Sequence, residues 1–412
     1  MDVFFFSKEV SKEKINVAVV TLLFLWHDTT TMQKIMPLSL YKLSRYMLKA
    51  VVSIISCGLL MITGANAQEH SEKMDFEKYE PVSTLKVPEH VTTKAKFLFI
   101  DVHNHQWNMN SQDISGLIKD MDKLNMKVMV NLSGGSGNDL KQKLQNVKEN
   151  AANRFIIFAN VEFNGIGSAG WTEKAVKQLE EDVKNGANGL KVFKNLGFSV
   201  KDNTGKRVTV DDNRLDPIWN ACGKLHIPVL IHTADPKSFW DEVNEKNERW
   251  LEIVTHPGRK RGTDNPAPWE TLIEEQHRMF KKHPETKFIA AHFGWYANDL
   301  ETLSKLLDDM PNVVTEFGAV IAELGRQPRA AKAFFDKYQD RILFGKDSWV
   351  PEEYKTYFRV LETADEYFPY HKKYHAFWRM YGMNLPDEIL KKIYYKNALA
   401  IIPNIDASLF GN

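Results

Sequence analysis

The sequence predicts a (β/α)₈ TIM barrel, and three observations point to that fold. Eight short apolar runs recur along the chain, stretches with helical spacing separate them, and polar side chains follow several runs directly. Apolar residues at every position are typical of parallel strands that are buried on both faces. The eight runs span residues 97–102, 127–132, 155–161, 189–193, 228–231, 287–291, 312–316 and 341–344.

The spacing of the runs agrees with this fold, because a strand–helix unit takes about 30 residues. Between strand ends at residues 103, 131, 160, 191, 232, 292, 316 and 347, the steps are 28, 29, 31, 41, 60, 24 and 31 residues. The two long steps indicate insertions at 197–210 and 234–268, both of which we expect above the catalytic face. We expect helices over 352–368 and 386–400 to close the barrel.

The N-terminal region has the pattern of a signal peptide. Basic residues precede an apolar stretch over 50–62, and small residues follow it at the positions that a signal peptidase recognises. The basic residues are Lys42, Arg45 and Lys49, and the small ones are Ala65 and Ala67. A buried helix, a membrane anchor or lipid attachment at Cys57 are less favoured alternatives, since a spanning helix needs about 20 residues.

These features divide the chain into three parts. We expect an N-terminal extension with a signal peptide over 1–67, a linker arm over 68–95 and the barrel domain over 96–412. The mature protein would then be exported, either periplasmic or secreted, with no stable membrane span. Only Cys222 would remain, so an intrachain disulfide is excluded.

The overall charge bears on the class of partner. A formal net charge of +1 gives no indication of nucleic acid or an anionic membrane surface. A small-molecule substrate is therefore the default expectation, and a homodimer is the default assembly.

Two histidines end the first apolar run. His103 and His105 are two residues apart, so on an extended chain their side chains project to the same side. Two imidazoles at the mouth of a strand can bind one cation, whereas an isolated histidine is more often a buried core residue.

Further polar residues occupy the ends of later runs. His232, His292 and Asp347 follow runs five, six and eight, Lys191 lies in run four, and Glu316 closes run seven. The carboxyl ends of barrel strands meet at one rim. The sequence therefore predicts that these imidazoles and the Asp347 carboxylate share a divalent metal.

The motifs at the strand ends resemble those of the amidohydrolase superfamily, and most closely the amidohydrolase-related branch that includes aminocarboxymuconate-semialdehyde decarboxylase. The resemblance covers about residues 97–400. The motifs that carry it are Asp101-Val102-His103-Asn104-His105, Val229-Leu230-Ile231-His232, Ala291-His292-Phe293-Gly294, Leu343-Phe344-Gly345-Lys346-Asp347 and Tyr395-Lys396-Asn397-Ala398-Leu399.

The resemblance implies a role for each matching position. Nitrogen ligands of a metal, with zinc the expected ion, would be His103, His105 and His232. Asp347 would be a weak or bridging ligand that also accepts a proton from water. His292 would bind a second metal or act as an acid that polarises the substrate. Asp101 would orient a histidine ligand.

Lys191 leaves two alternatives open. In two-metal members of the superfamily a lysine on strand four is carbamylated and bridges both ions, since a bare ammonium cannot ligate a cation. Otherwise Lys191 would bind an anionic group of the substrate. Because the resembled branch is usually mononuclear, one ion is favoured over two.

Four more residues are predicted to line the substrate pocket. Trp107, Trp295 and Trp349 each closely follow a strand that ends in a predicted ligand, although packing between loops explains them equally well. Arg214 begins the helix after the first insertion and is predicted to clamp a carboxylate.

Two reactions fit these residues. The first is hydrolysis of an amide, ester or lactone, with activated water attacking a carbonyl. The alternative is decarboxylation or carbon–carbon hydrolysis of a carboxylated substrate, a class that includes aromatic carboxylates. A binding protein without turnover is disfavoured, because His103, His105, His232, His292 and Asp347 are all present.

Overall fold

The computed structural model describes residues 37, 39, 42, 46, 47 and 74–411, with the exceptions of 152 and 265. The chain divides into two compact units, Met1–Pro81 and Val82–Asn412. In the first unit, a short 3₁₀ helix spans Phe76–Lys78. The apolar stretch of the predicted signal peptide, Cys57 and the cleavage site before Gln68 lie outside the described residues.

The second unit contains a cylinder of short parallel strands. Hydrogen bonds join them into two sheets, with strand orders β1-β2-β3 and β4-β5-β6-β7-β8-β9. The strands are β1 Phe99–Asn104, β2 Met126–Asn131, β3 Phe155–Ile157, β4 Ala159–Asn160, β5 Leu190–Val192, β6 Val229–Ile231, β7 Phe288–Ala290, β8 Val313–Glu316 and β9 Ile342–Leu343.

Two connections close the cylinder. Only Phe158 separates β3 from β4, and its N–H donates to the Asn131 carbonyl at 3.0 Å, so these segments share the third barrel position. On the other side, the Val102 N–H donates to the Phe344 carbonyl at 2.9 Å, which joins β1 to the end of β9. The eight predicted runs thus form eight barrel positions, and the predicted (β/α)₈ fold is confirmed.

Helices lie between the strands, and most are amphipathic. In α1, the Asp113 carboxylate accepts from the Gly116 N–H, and Ile114, Leu117 and Met121 are buried at helical spacing. The helices are α1 Ile114–Lys123, α2 Gly137–Ala151, α3 Trp171–Asn185, α4 Asn195–Phe198, α5 Asp216–Lys224, α6 Trp250–Thr255, α7 Trp269–Lys282, α8 Leu300–Asp309, α9 Ile321–Gly325, α10 Pro328–Lys337, α11 Pro351–Glu362, α12 Asp387–Lys391 and α13 Asn397–Ile401.

Apolar side chains fill both faces of the sheet. One buried cluster includes Ile100 of β1, Leu230 of β6 and Ile289 of β7. A larger cluster contains Phe99, the neighbour of Ile100, together with helix residues such as Leu303. Successive strand residues therefore face different cores, as expected for a barrel wall with side chains inside and helices outside.

The structure corrects the helix predicted over 352–368. It ends at Glu362, and Tyr367 has a left-handed φ of 57°, which a helix cannot continue through. The following strand Phe368–Pro369 pairs antiparallel with Arg379–Met380. Over the predicted 386–400 helix, α12 and α13 flank a π-helical turn at Lys392–Lys396.

The first insertion contains a turn, with Lys201 and Arg207 bridged antiparallel and Gly205 at φ +84°. Before the barrel, the linker arm is anchored where the His90 N–H donates to Asp365 at 2.8 Å. Within the part of the chain that the structure describes, no helix combines the length and apolar character needed to cross a membrane.

Candidate metal centre

The polar residues at the strand ends meet at one rim of the barrel. His103 lies in β1, Lys191 in β5 and Glu316 at the end of β8, while His292 and Asp347 follow β7 and β9. In β1, Asp101 pairs with Met129 and Asn104 with Asn131, so the register shifts between them. An irregularity of this kind re-aims side chains at a strand end.

Two of these residues have strained backbones. His292 has φ 57° and Asp347 has φ 83°, both in the left-handed region that L-residues rarely adopt. Such conformations persist only where surrounding contacts hold them, and they concentrate at functional sites. The Asp347 N–H donates to the His103 carbonyl at 2.7 Å, which fixes the carboxylate beside the first histidine.

The ring of His103 is oriented by Glu316. Its Nδ1 lies 2.9 Å from Glu316 Oε1, and because a carboxylate only accepts, Nδ1 carries the hydrogen. The opposite atom, Nε2, then faces Asp347 Oδ1 at 3.3 Å and Lys191 Nζ at 3.4 Å. The His103 ring, which these three side chains contact, is completely buried.

His292 and His232 face each other with two acceptor atoms. His292 Nδ1 donates to the Gly318 carbonyl at 2.7 Å, and His232 Nε2 donates to the Ala234 carbonyl at 3.1 Å. Each ring therefore presents its other nitrogen as a lone pair, and these atoms, His292 Nε2 and His232 Nδ1, are 3.3 Å apart. Two lone pairs at this distance need a cation or a proton between them.

His105 completes the cluster from the side of the rim. Its Nδ1 lies 2.8 Å from Ser133 Oγ, and its Nε2 lies 3.6 Å from Asp347 Oδ1. The ring stacks on Trp107, with centroids 5.4 Å apart. While the His103 side chain is fully buried, that of Asp347 is 36% exposed, so the carboxylate is the part of the cluster that a ligand or water can reach.

The charges of the cluster also fit a cation. Burial and Lys191 lower the pKa of His103, but Glu316 and Asp347 outweigh them and leave it raised. Burial raises the pKa of Asp347, yet His103 and His292 bring it well below its usual value. The two carboxylates therefore favour a proton on His103, which lies between them. A divalent ion would replace that proton.

The pKa shifts of His232 and His105 keep both imidazoles neutral. Burial and the neighbouring His292 lower the pKa of His232 well below its usual value. Burial lowers that of His105 to about 3. Burial also lowers the pKa of Lys191 to about 8, against the opposing effect of Asp347 and Glu316. Neutral imidazoles are the form that binds metals.

Among the described residues, His103, His292 and Asp347 each offer one ligand atom, and these atoms lie within 4.8 Å of one another. His105 adjoins this group through Asp347, and His232 adjoins it through His292. Imidazole nitrogens with a carboxylate suit zinc and related divalent ions, so the residues present fit a metal.

Sequence reasoning predicted an orienting role for Asp101 but assigned none to Glu316 or to the two carbonyls that orient the histidine rings. Glu316 was recognised only as the end of a strand, although a carboxylate at that position was itself a signal. Asp101 acts on backbone rather than on a ring, because it accepts from the N–H groups of His103 and Lys346 at 3.0 and 3.1 Å. The carbonyls of Gly318 and Ala234 are backbone groups, so no side chain in the sequence indicates that they orient the histidines.

The predicted pocket residues lie in different surroundings. Trp295 is near the cluster, with ring centroids 4.6 Å from His292 and 5.7 Å from His232. Trp107 lies over His105, whereas Trp349 packs against Tyr354 at 5.7 Å.

The structure gives no support to Arg214 as a substrate clamp. Its guanidinium donates to Asp212 Oδ2 at 2.6 Å and to Asp202 Oδ2 at 3.1 Å. Both partners belong to the region of the first insertion, so the fork that would hold a substrate carboxylate already holds two from the protein.

Comparison with solved structures finds similar chains. Solved structures that resemble the chain include a putative amidohydrolase from Staphylococcus aureus, with 17% identity, a TM-score of 0.47, and coverage of 76% of this chain and 99% of that one. A manganese-bound dihydroxybenzoic acid decarboxylase from Polaromonas has 15% identity, a TM-score of 0.48, and coverage of 77% and 100%. A 5-carboxyvanillate decarboxylase from Novosphingobium aromaticivorans has 14% identity, a TM-score of 0.45, and coverage of 76% and 98%.

Comparison with curated proteins finds no match. The family model described as amidohydrolase, in contrast, matches residues 100–403, which include all the strand-end histidines and Asp347. That match spans most of the chain and the whole of the barrel rim described above. The chain therefore belongs to the amidohydrolase family of metal-dependent TIM-barrel enzymes.

Proposed function

We propose that the chain is a hydrolase that acts on an amide, ester or lactone of a small molecule. In this proposal one divalent ion, with zinc the expected metal, is held by His103, His105, His232 and Asp347, with His292 beside them. The observation that carries it is the pairing of two acceptor atoms, His232 Nδ1 and His292 Nε2, at 3.3 Å, beside His103 Nε2 and Asp347 Oδ1, which are also 3.3 Å apart. The two lone pairs repel each other unless a cation or a proton lies between them.

A bound divalent ion would supply Lewis-acid polarisation of a carbonyl and would favour ionisation of water at neutral pH. Asp347 remains ionised, because the neighbouring histidines hold its pKa well below the usual value. Its carboxylate is partly exposed and fixed through its backbone to His103. Asp347 is therefore placed to accept a proton from attacking water and to return it to the leaving group.

The geometry opposes the role of an acid for His292. Because Nδ1 donates to the Gly318 carbonyl, the Nε2 atom that faces the cluster is a lone pair and has no proton to give. Burial lowers the pKa of His292, which also opposes a protonated ring.

Lys191 supports a site with one ion and an anionic substrate group nearby. Its Nζ is buried and lies 3.4 Å from His103 Nε2, and Asp347 and Glu316 favour its charged form. A charged ammonium cannot ligate a metal, but it can pair with a carboxylate or an oxyanion of the substrate. A pKa of about 8 leaves a neutral fraction, so carbamylation with a second ion is the alternative.

A second candidate, decarboxylation of an aromatic carboxylate, is favoured by one specific observation. Phe193 stacks on Trp107 with centroids 5.6 Å apart, and Lys191 Nζ lies 5.4 Å from the Phe193 ring centroid. A flat aromatic wall beside a cation suits a planar substrate that carries a carboxylate.

We further propose that the protein is exported after removal of residues 1–67, that its partner is a small-molecule substrate, and that it forms a homodimer. The support for export is the basic, apolar and small-residue pattern of the N-terminus.

Replacement of Glu316 by Gln is expected to lower metal affinity about 10–100-fold, because the amide no longer supplies a charged acceptor for His103 Nδ1. Competition with a chelator measures this change for zinc. The control is Glu301→Gln, a surface carboxylate that pairs with Lys305. Equal affinity in both variants would contradict an orienting role for Glu316.

Replacement of Asp347 by Asn is expected to reduce kcat about 10²–10⁴-fold, because the amide cannot accept a proton from water. Metal content measured on the purified variant should stay near that of the wild type. Asp120→Asn, which changes a surface carboxylate paired with Lys123, serves as the control. Undiminished turnover by the Asp347 variant would refute the proton-acceptor role.

Product analysis separates the two candidate reactions. We expect the metal-loaded enzyme to cleave members of an ester, lactone and amide panel, with ¹⁸O from labelled water entering the acid product. A parallel panel of hydroxybenzoates is monitored for CO₂. Release of CO₂ without hydrolysis of any carbonyl substrate would replace the hydrolase proposal with the decarboxylase.

Mass spectrometry of the protein secreted by a bacterial host tests the export proposal. The expected mature N-terminus is Gln68, because Ala65 and Ala67 occupy the positions that the peptidase recognises. An Ala67→Arg variant should accumulate uncleaved. An intact N-terminus in the wild-type protein would overturn this proposal.

A further inference from the structure

A cavity of about 480 Å³ adjoins the histidine cluster through Trp295. Trp295 belongs to its wall and also contacts the ring of His292, so the cavity and the metal centre share a side chain. Much of the remaining wall comes from the second insertion, including Lys237, Asp241, Asn247 and Arg249, and Glu323 of α9 also lines it. A substrate whose carbonyl lies at the cluster can therefore extend its remote part into this space.

One wall residue has an unsatisfied buried atom. Glu323 is only 5% exposed, and its Oε1 accepts from the Arg249 guanidinium. Its Oε2 has no hydrogen-bond partner among the described residues. A buried carboxylate oxygen without a donor raises the free energy of the folded state, and a ligand that supplies the donor recovers that loss.

A second unsatisfied atom has the opposite polarity. The indole Nε1 of Trp295 is buried, and no acceptor within the described part of the chain reaches it. An indole N–H only donates, whereas the Glu323 carboxylate only accepts. A single ligand group with both capacities, such as a hydroxyl or a carboxamide, can satisfy atoms of both kinds.

The charges around Glu323 already balance. Arg249 donates to Glu252 Oε2 at 2.7 Å, and Glu252 also pairs with Arg259, so two guanidinium groups face two carboxylates. Arg259 Nη1 lies 2.8 Å from His375 Nε2, and burial and Arg249 lower the pKa of that histidine to about 2, so it is neutral. A further charge beside Glu323 would find no unpaired opposite charge within this group of four.

We propose that this cavity recognises the part of the substrate remote from the reacting carbonyl, and that it selects a neutral group with an N–H or O–H donor, a hydroxyl or a carboxamide. The inference rests on the proposed function in one respect, which is that the occupant is the substrate. Glu323 and Trp295 then determine which small molecules are bound, while the histidine cluster determines what happens to them.

The test uses benzamide and acetophenone, which have nearly the same shape and both carry a carbonyl. Only benzamide brings an N–H donor for Glu323. Both are titrated into the metal-free full-length protein with ¹⁵N-labelled tryptophan, and the Nε1–H resonance of Trp295 is followed. The variant Trp295→Phe identifies that resonance. We expect benzamide to shift the Trp295 resonance and to bind roughly tenfold more tightly than acetophenone.

Two variants with matched chemistry complete the experiment. Glu323→Gln should remove the preference for benzamide, because the carboxylate acceptor is lost. Glu242→Gln, which changes an exposed carboxylate on the wall of the same cavity, should keep it. Equal affinity of the wild type for both probes, or the same loss in both variants, would overturn the proposal.

If the Glu323→Gln variant does not fold, the comparison of benzamide with acetophenone on the wild-type protein still decides the proposal. Because binding is measured without metal or turnover, its outcome is independent of the reaction assay. Selective binding without hydrolysis would support the cavity proposal and contradict the hydrolase proposal. Hydrolysis without selective binding would support the hydrolase proposal and contradict the cavity proposal.

Discussion

The arrangement of the site depends on the buried carboxylate of Glu316. Its Oε1 accepts from His103 Nδ1 and from the His292 N–H, and its Oε2 accepts from the Gly318 N–H at 2.6 Å. Burial raises the pKa of Glu316, but His103 outweighs that effect and brings it to about 2, so the group stays ionised. The Glu316 carboxylate at the end of β8 thus fixes the His103 ring on β1, the strained backbone of His292 after β7 and the loop at Gly318 that follows β8.

The need to seat this carboxylate constrains residues that have no chemistry of their own. A Cβ on Gly345 would lie 2.2 Å from Glu316 Oε2 and 2.9 Å from the Cβ of His103, so a glycine is required where β9 passes the site. Asp101 binds the neighbouring backbone, accepting from His103 and Lys346. Rigid supports of this kind hold Asp347 in its left-handed conformation without a helix or strand of its own.

The sequence was sufficient to predict which side chains meet, because a closed parallel barrel brings strand ends together whatever lies between them. His103, His232 and His292 are far apart in sequence, yet their shared position at the end of apolar runs predicted their proximity. Groups whose role depends on turns after the strands could not be predicted. The Gly318 carbonyl is backbone, and Glu323 lies on the short helix α9, whose five residues are all buried.

The same reasoning explains why reactivity was easier to predict than selectivity. The histidines are placed by the barrel, which the hydrophobic pattern determines, whereas the cavity beside Trp295 is built largely from an insertion that contains paired charges such as Arg249 and Glu252. Those pairs leave no net charge but do leave one carboxylate oxygen of Glu323 without a donor. Because loops vary independently of the barrel in this architecture, the insertion can change the substrate without disturbing the ring orientations that Glu316 maintains.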